Sequence, residues 1–284
     1  MNRALFILAS LTLLAGCGKP QPAEQVGIPQ RIISLSPAIT ETVYALGLGD
    51  KLVGATTYCT YPEAAKNVPR VGGYGQYNFE AIISLKPDLV ILHHTFESEK
   101  ARLDGLGIPY LETRAEHMAD IIDSIRTVGA ACGAGEKADE LLAKIDAQTK
   151  RLHAPRKEPR VLVVFGGNAG TLETIHAFGA DCLHNDLLDR AGGVNVIKNK
   201  LAFSTLSKEA VIRLNPEIII QLAPGTEAPA DPVAAWGELP GVDAVKNRRV
   251  YVLTGDYTCI PGPRFTQILD DFSGIIRQND LEAE

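Results

Sequence analysis

The sequence has no surplus of positive charge, no C-x-x-C pair, a single tryptophan and only two methionines. Past its first residues it also lacks any apolar run long enough to cross a bilayer. Each shortage excludes a class of protein. With 28 Lys and Arg against 34 Asp and Glu, a net charge of -6, the chain lacks the basic footprint of a nucleic-acid binder. Its five cysteines fit no zinc-site spacing. Neither a G-x-S-x-G elbow nor a P-loop nor a Cys-His-Asp arrangement is present to suggest catalysis. "VFGGNAG", from Val164, is glycine-rich after a strand, but it lacks G-x-G-x-x-G spacing and a later acidic partner. An exported redox or other enzyme using Cys59 and Cys259 is the reading from another class, and it rests on those two thiols alone.

What is present begins at the N-terminus. Arg3 precedes the apolar run "ALFILASLTLL", too short for a membrane span, and "LAGC" then leads small residues into Cys17. The pattern resembles a bacterial lipoprotein signal, with residues 1–16 removed and lipid carried on Cys17. Acyl chains contribute roughly 0.8 kcal/mol per buried methylene, so a multiply acylated Cys17 would hold the protein to a membrane surface. The proline-containing stretch to residue 30 has no apolar periodicity and reads as a flexible tether (17–30).

The chain also resembles itself. "NFEAIISLKPDLVIL", from Asn78, matches "SKEAVIRLNPEIIIQ", from Ser207. Both copies have a capping residue, a Glu two positions later and an apolar helical pattern. Pro87 or Pro216 then ends the helix, and a β-branched run reads as a buried parallel strand. Another strand opens each half, "RIISLS" from Arg31 and "RVLVVFGG" from Arg160. The fold class expected is α/β: two Rossmann-like lobes with parallel central sheets, at 31–134 and 156–284. Between them, 135–155 lacks an internal breaker from Glu136 onward and reads as one long bridging α-helix. A cleft between lobes so joined should close only modestly on a ligand.

Together, the lipoprotein signal, repeated lobes and helical bridge resemble the helical-bridge class of periplasmic binding proteins (class III), which serve ABC importers of cobalamin, haem and ferric siderophores. Within that class the chain is most similar to the vitamin B12-binding branch, through "SLSPAITE", "VGATTYCTYP", "NFEAIISLKPDLVI", "AGGVNVI", "LSKEAVIRLNPEIII" and "GDYTCIPGPR". The resemblance implies a monomeric receptor without a catalytic step or catalytic cofactor, carrying a corrinoid, with haem as the alternative. Its partners are an ABC permease dimer with ATPase subunits, and a membrane surface through Cys17 in the periplasm or cell envelope. Ala38, Tyr58, Tyr74, Phe203 and Asp256 match cobalamin-contacting positions, while His176 or Phe178 fills a further aromatic one. An arginine of that branch is replaced by Ile260. Glu80 and Glu209, equivalent in the repeat, match acids that dock to arginines of the permease; otherwise they are carboxylates favoured in a first helical turn.

Tyr58, Tyr61, Tyr74, Tyr77 and Tyr257 lie in loops that such a fold turns toward one cleft, whereas Tyr44, Tyr110 and Tyr251 read as packing. The loops "SPAIT", "TTYCTY", "GGYGQYN" and "GDYTCIPG" hold one charged side chain, Asp256. That absence of cations disfavours a trianionic siderophore and the propionates of haem. His93 and His94, adjacent on a strand, point to opposite faces and cannot easily share one metal ion. Cys59 and Cys259 are expected on facing cleft loops, either as a disulfide across the mouth or as thiols near the ligand.

Overall fold

The computed structural model describes residues 27–151, 158–166 and 174–281. Cys17, the signal and most of the tether lie outside them, as does most of the glycine-rich segment after β7.

The first lobe runs β1 (Ile32–Ser34), α1 (Pro37–Ala45), β2 (Leu52–Ala55), a hairpin of β3 (Gly72–Gly73) and β4 (Gln76–Tyr77), and α2 (Phe79–Ser84). It continues through β5 (Leu89–His93), α3 (Glu97–Leu106), β6 (Tyr110–Thr113) and α4 (Met118–Ala131). The main sheet has the order β2-β1-β5-β6, and every pair in it is parallel. Its central strands β1 and β5 are buried at nearly every residue, as apolar strands covered on both faces must be. Ser36 starts α1 by accepting from the Ile39 amide, and Pro37 supplies a preset φ at the first turn.

The bridging helix α5 spans Gly135–Lys150, 16 residues, about 24 Å at 1.5 Å per residue. It is shorter than the expected 135–155, and the remainder from 152 lies outside the described residues. Gly129 of α4 lets α5 approach, since a Cβ there would meet that of Ala138 at 2.6 Å.

The second lobe comprises β7 (Arg160–Phe165), β8 (Ile175–Phe178), α6 (Leu183–Ala191), β9 (Val194–Asn195) and β10 (Phe203–Leu206). After these come α7 (Lys208–Leu214), β11 (Ile218–Leu222), α8 (Asp243–Lys246), β12 (Val250–Leu253) and α9 (Phe265–Leu281). The strand order is β10-β8-β7-β11-β12, with β9 beside the start of β7. β7, β11 and β12 are parallel as expected, but β8 runs antiparallel to both of its neighbours, β7 and β10, so this sheet is mixed.

The internal repeat persists in atomic detail. Asn78 accepts from the Ala81 amide at 3.0 Å and Ser207 from the Ala210 amide at 3.3 Å. The Arg31 guanidinium donates to the Leu85 carbonyl and that of Arg160 to the Leu214 carbonyl. The amides of the same arginines donate to Asp88 and Glu217, each at 2.9 Å. The residue before each proline, Lys86 or Asn215, takes a left-handed φ, 45° and 40°. One apolar cluster includes residues of both lobes and of α5, so packing as well as the helix resists their separation.

Candidate functional site

In "GGYGQY", glycines are needed because Gly72 has φ +102° and a Cβ there would sit 2.3 Å from the Gln76 carbonyl. The turn between β3 and β4 is Tyr74-Gly75, which places Tyr74 at a hairpin tip, 74% exposed. Its ring stands edge-on to Phe96 at 5.6 Å. Tyr58, 62% exposed, borders Gly73, where a Cβ would lie 3.2 Å from the Tyr58 ring. In the second lobe, Phe203 opens β10 at 58% exposure, with Phe178 at 5.1 Å between ring centres. Phe178 in turn meets Phe165 at 6.4 Å and His184 at 3.9 Å.

This second-lobe cluster forms most of the wall of a cavity of about 330 Å³, with Leu183, Cys182, Cys259 and Pro261, while Ala115 and Glu116 contribute from the first lobe. A second cavity of about 20 Å³ shares Ala115 and Pro261 and is lined by Ala38 and His93. The His184 Nε2–H donates to the Thr258 carbonyl at 2.7 Å, and burial holds its pKa down to about 4, so the ring is neutral. The Cys259 thiol is pushed up to about 11 by burial, and it too is uncharged. Among the described residues no group of three His, Cys, Asp or Glu is arranged to hold a metal ion.

Among the described residues, two ionic contacts cross between the lobes. The Arg264 guanidinium donates to both oxygens of Glu41, at 2.9 and 2.6 Å, and to Asp256 at 2.7 Å. It also lies 3.8 Å from the centre of the Tyr61 ring. Burial raises the Glu41 pKa against the opposing pull of Arg264, whereas the Arg264 hydrogen bond lowers that of Asp256. In the other contact, His117 Nδ1 is 3.1 Å from Asp186 and Nε2 is 3.2 Å from Asp181. Burial lowers the His117 pKa, but Asp186 and Asp181 outweigh it and the net shift is upward.

Of the residues proposed from sequence, Tyr58, Tyr74 and Phe203 present exposed rings. The others are placed as follows. The Tyr77 hydroxyl donates to the Leu35 carbonyl at 3.1 Å, and that of Tyr257 to Asp271 at 2.7 Å, so both are engaged within the fold. The Asp256 carboxylate is occupied by Arg264. Ala38 is buried beside the smaller cavity. His176 is exposed on β8 and does not line the main cavity, whereas its alternative Phe178 does. His93 packs edge-on to Phe96, while His94 Nδ1 lies 3.3 Å from Glu116, near enough for attraction but not aligned as a hydrogen bond.

The expected Cys59–Cys259 disulfide is not formed, and both thiols are free. Cys59 is wholly buried in the core, its sulfur 3.1 Å from Thr56 Oγ1, because its amide closes a turn onto the Thr56 carbonyl. Its complete burial in the core also removes Cys59 from the redox alternative. Cys259 is part of the cavity wall instead. Sequence reasoning missed Phe165, His184, Glu116 and the Glu41–Arg264 pair. The signals available were "DCLHND" at Asp181 and the arginine that ends "PGPR".

Two helix-bridged α/β lobes around an aromatic cleft define a solute-binding protein. The periplasmic binding protein family model matches residues 32–257. The chain belongs to this family, the non-catalytic substrate-binding components of ABC transporters with the class III fold. It is 31% identical over 303 residues to the uncharacterized ABC transporter substrate-binding lipoprotein YvrC of Bacillus subtilis (strain 168), covering 94% of each chain. It is 29% identical over 239 residues to the vitamin B12-binding protein of Yersinia pestis (strain Pestoides F), covering 82% of this chain and 79% of that one. The apo periplasmic heme-binding protein RhuT of Roseiflexus sp. RS-1 superposes with a TM-score of 0.74 at 28% identity, covering 88% and 99%.

Proposed function

We propose that the chain captures a corrinoid between its lobes and passes it to the permease of an ABC importer. The observation that carries this reading is the cavity wall, which among the described residues has three phenylalanines and two carboxylates, Glu116 and Asp181, but neither lysine nor arginine. Anionic siderophores and haem propionates call for cations there. A corrin, partly apolar and fringed with neutral amides, does not. At about 330 Å³ the cavity takes an edge of such a ligand, with Phe203 in its wall, while the exposed faces of Tyr58 and Tyr74 offer stacking surface outside it. Tyr77, Tyr257 and Asp256 serve as the frame of these loops. The vitamin B12-binding relative supports the same ligand. Haem is the second reading, favoured by the likeness to a heme-binding structure at similar identity.

Docking would use Glu80 and Glu209, both exposed in the first turns of equivalent helices. Export and lipid attachment at Cys17 complete the proposal, supported by the lipoprotein relative. Among the described residues no helix is long and apolar enough to cross a membrane.

Absorbance spectra and titration calorimetry with cobalamin, cobinamide and haem test the ligand. Tight binding of a corrinoid with weak binding of haem is expected, and the reverse order overturns the assignment. Glu80→Ala with Glu209→Ala should reduce uptake and leave cobalamin affinity unchanged.

A further inference from the structure

Several exposed large hydrophobics rim the cleft, but Ile83 and Ile212 do not belong to that group. They stand at the same place in the internal repeat, on α2 and α7, at 47% and 53% exposure. Among the described residues, neither is a buried member of a core cluster. Isolated exposed isoleucines are common enough on protein surfaces. Here, however, each follows by three residues the acid at the equivalent position, Glu80 or Glu209. That spacing sets both side chains on one side of a helix.

The two helices are fixed to their sheets by the same devices. Each has a capping side chain, an arginine at the start of the lobe's first strand reaching the end of the helix, an acid bound to that arginine's amide, and a left-handed residue before proline. Both lobes thus present an acid and an isoleucine in the same local frame. Their burial patterns agree as well: the position between the pair and the core, Ile82 or Val211, is fully buried, while Glu and Ile are exposed. A duplicated apolar residue beside a duplicated charge suits a partner that is itself duplicated, in which one surface element occurs twice about a two-fold axis.

We infer that Ile83 and Ile212 are the apolar anchors of the permease-docking surface, one per lobe. Each enters an apolar recess next to the cation that meets the neighbouring glutamate, on the two halves of a permease dimer. The inference rests on the docking reading above and adds a division of labour. The acids set register and association rate, and the isoleucines, desolvated at the centre of each contact, set the lifetime of the complex.

The test measures binding of the cobalamin-loaded protein to the importer's permease–ATPase complex in phosphatidylethanolamine–phosphatidylglycerol nanodiscs. Ile83→Gln and Ile212→Gln are each expected to weaken binding about tenfold. Together they should weaken it about a hundredfold, since the two sites lie on separate lobes. The loss should fall on dissociation and persist between about 50 mM and about 500 mM salt. Glu80→Gln with Glu209→Gln should slow association at low salt and have little effect at high salt. Cobalamin affinity and melting temperature of the isoleucine variants should match the parent, because both side chains are exposed and neither lines a cavity among the described residues. Full binding by the double isoleucine variant, with loss in the glutamate variant, overturns the anchors and leaves docking standing. Full binding by both double variants overturns docking and the anchors together.

Discussion

Replacing Arg264 with alanine would leave Glu41 as a buried carboxylate, 3% exposed and without its cation. Removing one partner of a buried pair costs about 3–5 kcal/mol, because the remaining charge stays desolvated. The Asp256 side of the knot contributes little to this figure, since that side chain is 51% exposed and a screened pair is worth about 0–1 kcal/mol. The cost therefore belongs to Glu41. Adding Glu41→Gln to Arg264→Ala should recover most of it, leaving about 1–2 kcal/mol for the lost guanidinium contact with Tyr61. Acid supplies an independent check. Burial already raises the Glu41 pKa against the pull of Arg264, and in Arg264→Ala nothing opposes it. The folded variant then binds a proton more readily than the unfolded chain. Its deficit shrinks as pH falls through the raised folded pKa toward the unfolded value near 4.5. Urea denaturation of parent, both single variants and the double variant at neutral and mildly acidic pH measures all of this. A deficit below about 1 kcal/mol, or one indifferent to Glu41→Gln, would refute the reasoning.

Two further perturbations test the site. The His184 imidazole, at about 4 instead of 6.5, contributes stability that is complete above pH 6.5 and lost as pH falls toward 4, a swing of about 3 kcal/mol. His184→Phe, which preserves the stack on Phe178, should flatten that part of the stability–pH curve, and an unchanged slope would exclude His184 as its source. Gly72→Ala places a Cβ against the Gln76 carbonyl at positive φ, so it should cost about 1–3 kcal/mol and weaken cobalamin binding by displacing Tyr74. Calorimetry showing parental affinity would exclude the hairpin from the binding surface.

The repeat was legible because its determinants are local. A capping side chain, an apolar period and a terminating proline act within a dozen residues, and α2–β5 and α7–β11 follow from them. The reversed direction of β8 was not read, because a short strand does not carry its direction in its composition. Tyr74 could be placed from its flanking glycines, whereas the fates of Tyr77 and Tyr257 depend on acceptors 42 and 14 residues away. The pair across the lobes is more remote still, with Glu41 and Arg264 separated by 223 positions. For Cys59, tyrosine neighbours suggested a rim position, but the bond of its amide to Thr56 turned the thiol inward.

The largest apolar cluster joins Ile32 and Ile91 of the first sheet to Ile145 of α5, Val161 and Ile218 of the second sheet and Phe272 of α9. A core so shared couples the two lobes, although each also has an apolar cluster of its own. Heating should therefore give a single cooperative transition, and cutting the chain between its lobes would leave two fragments with raw apolar faces. The same continuity makes the whole molecule report on its cleft. Any solute bound there withdraws the entire chain from the unfolded population, so one melting curve can rank candidate cargoes without a transporter, a membrane or a spectroscopic signal from the solute.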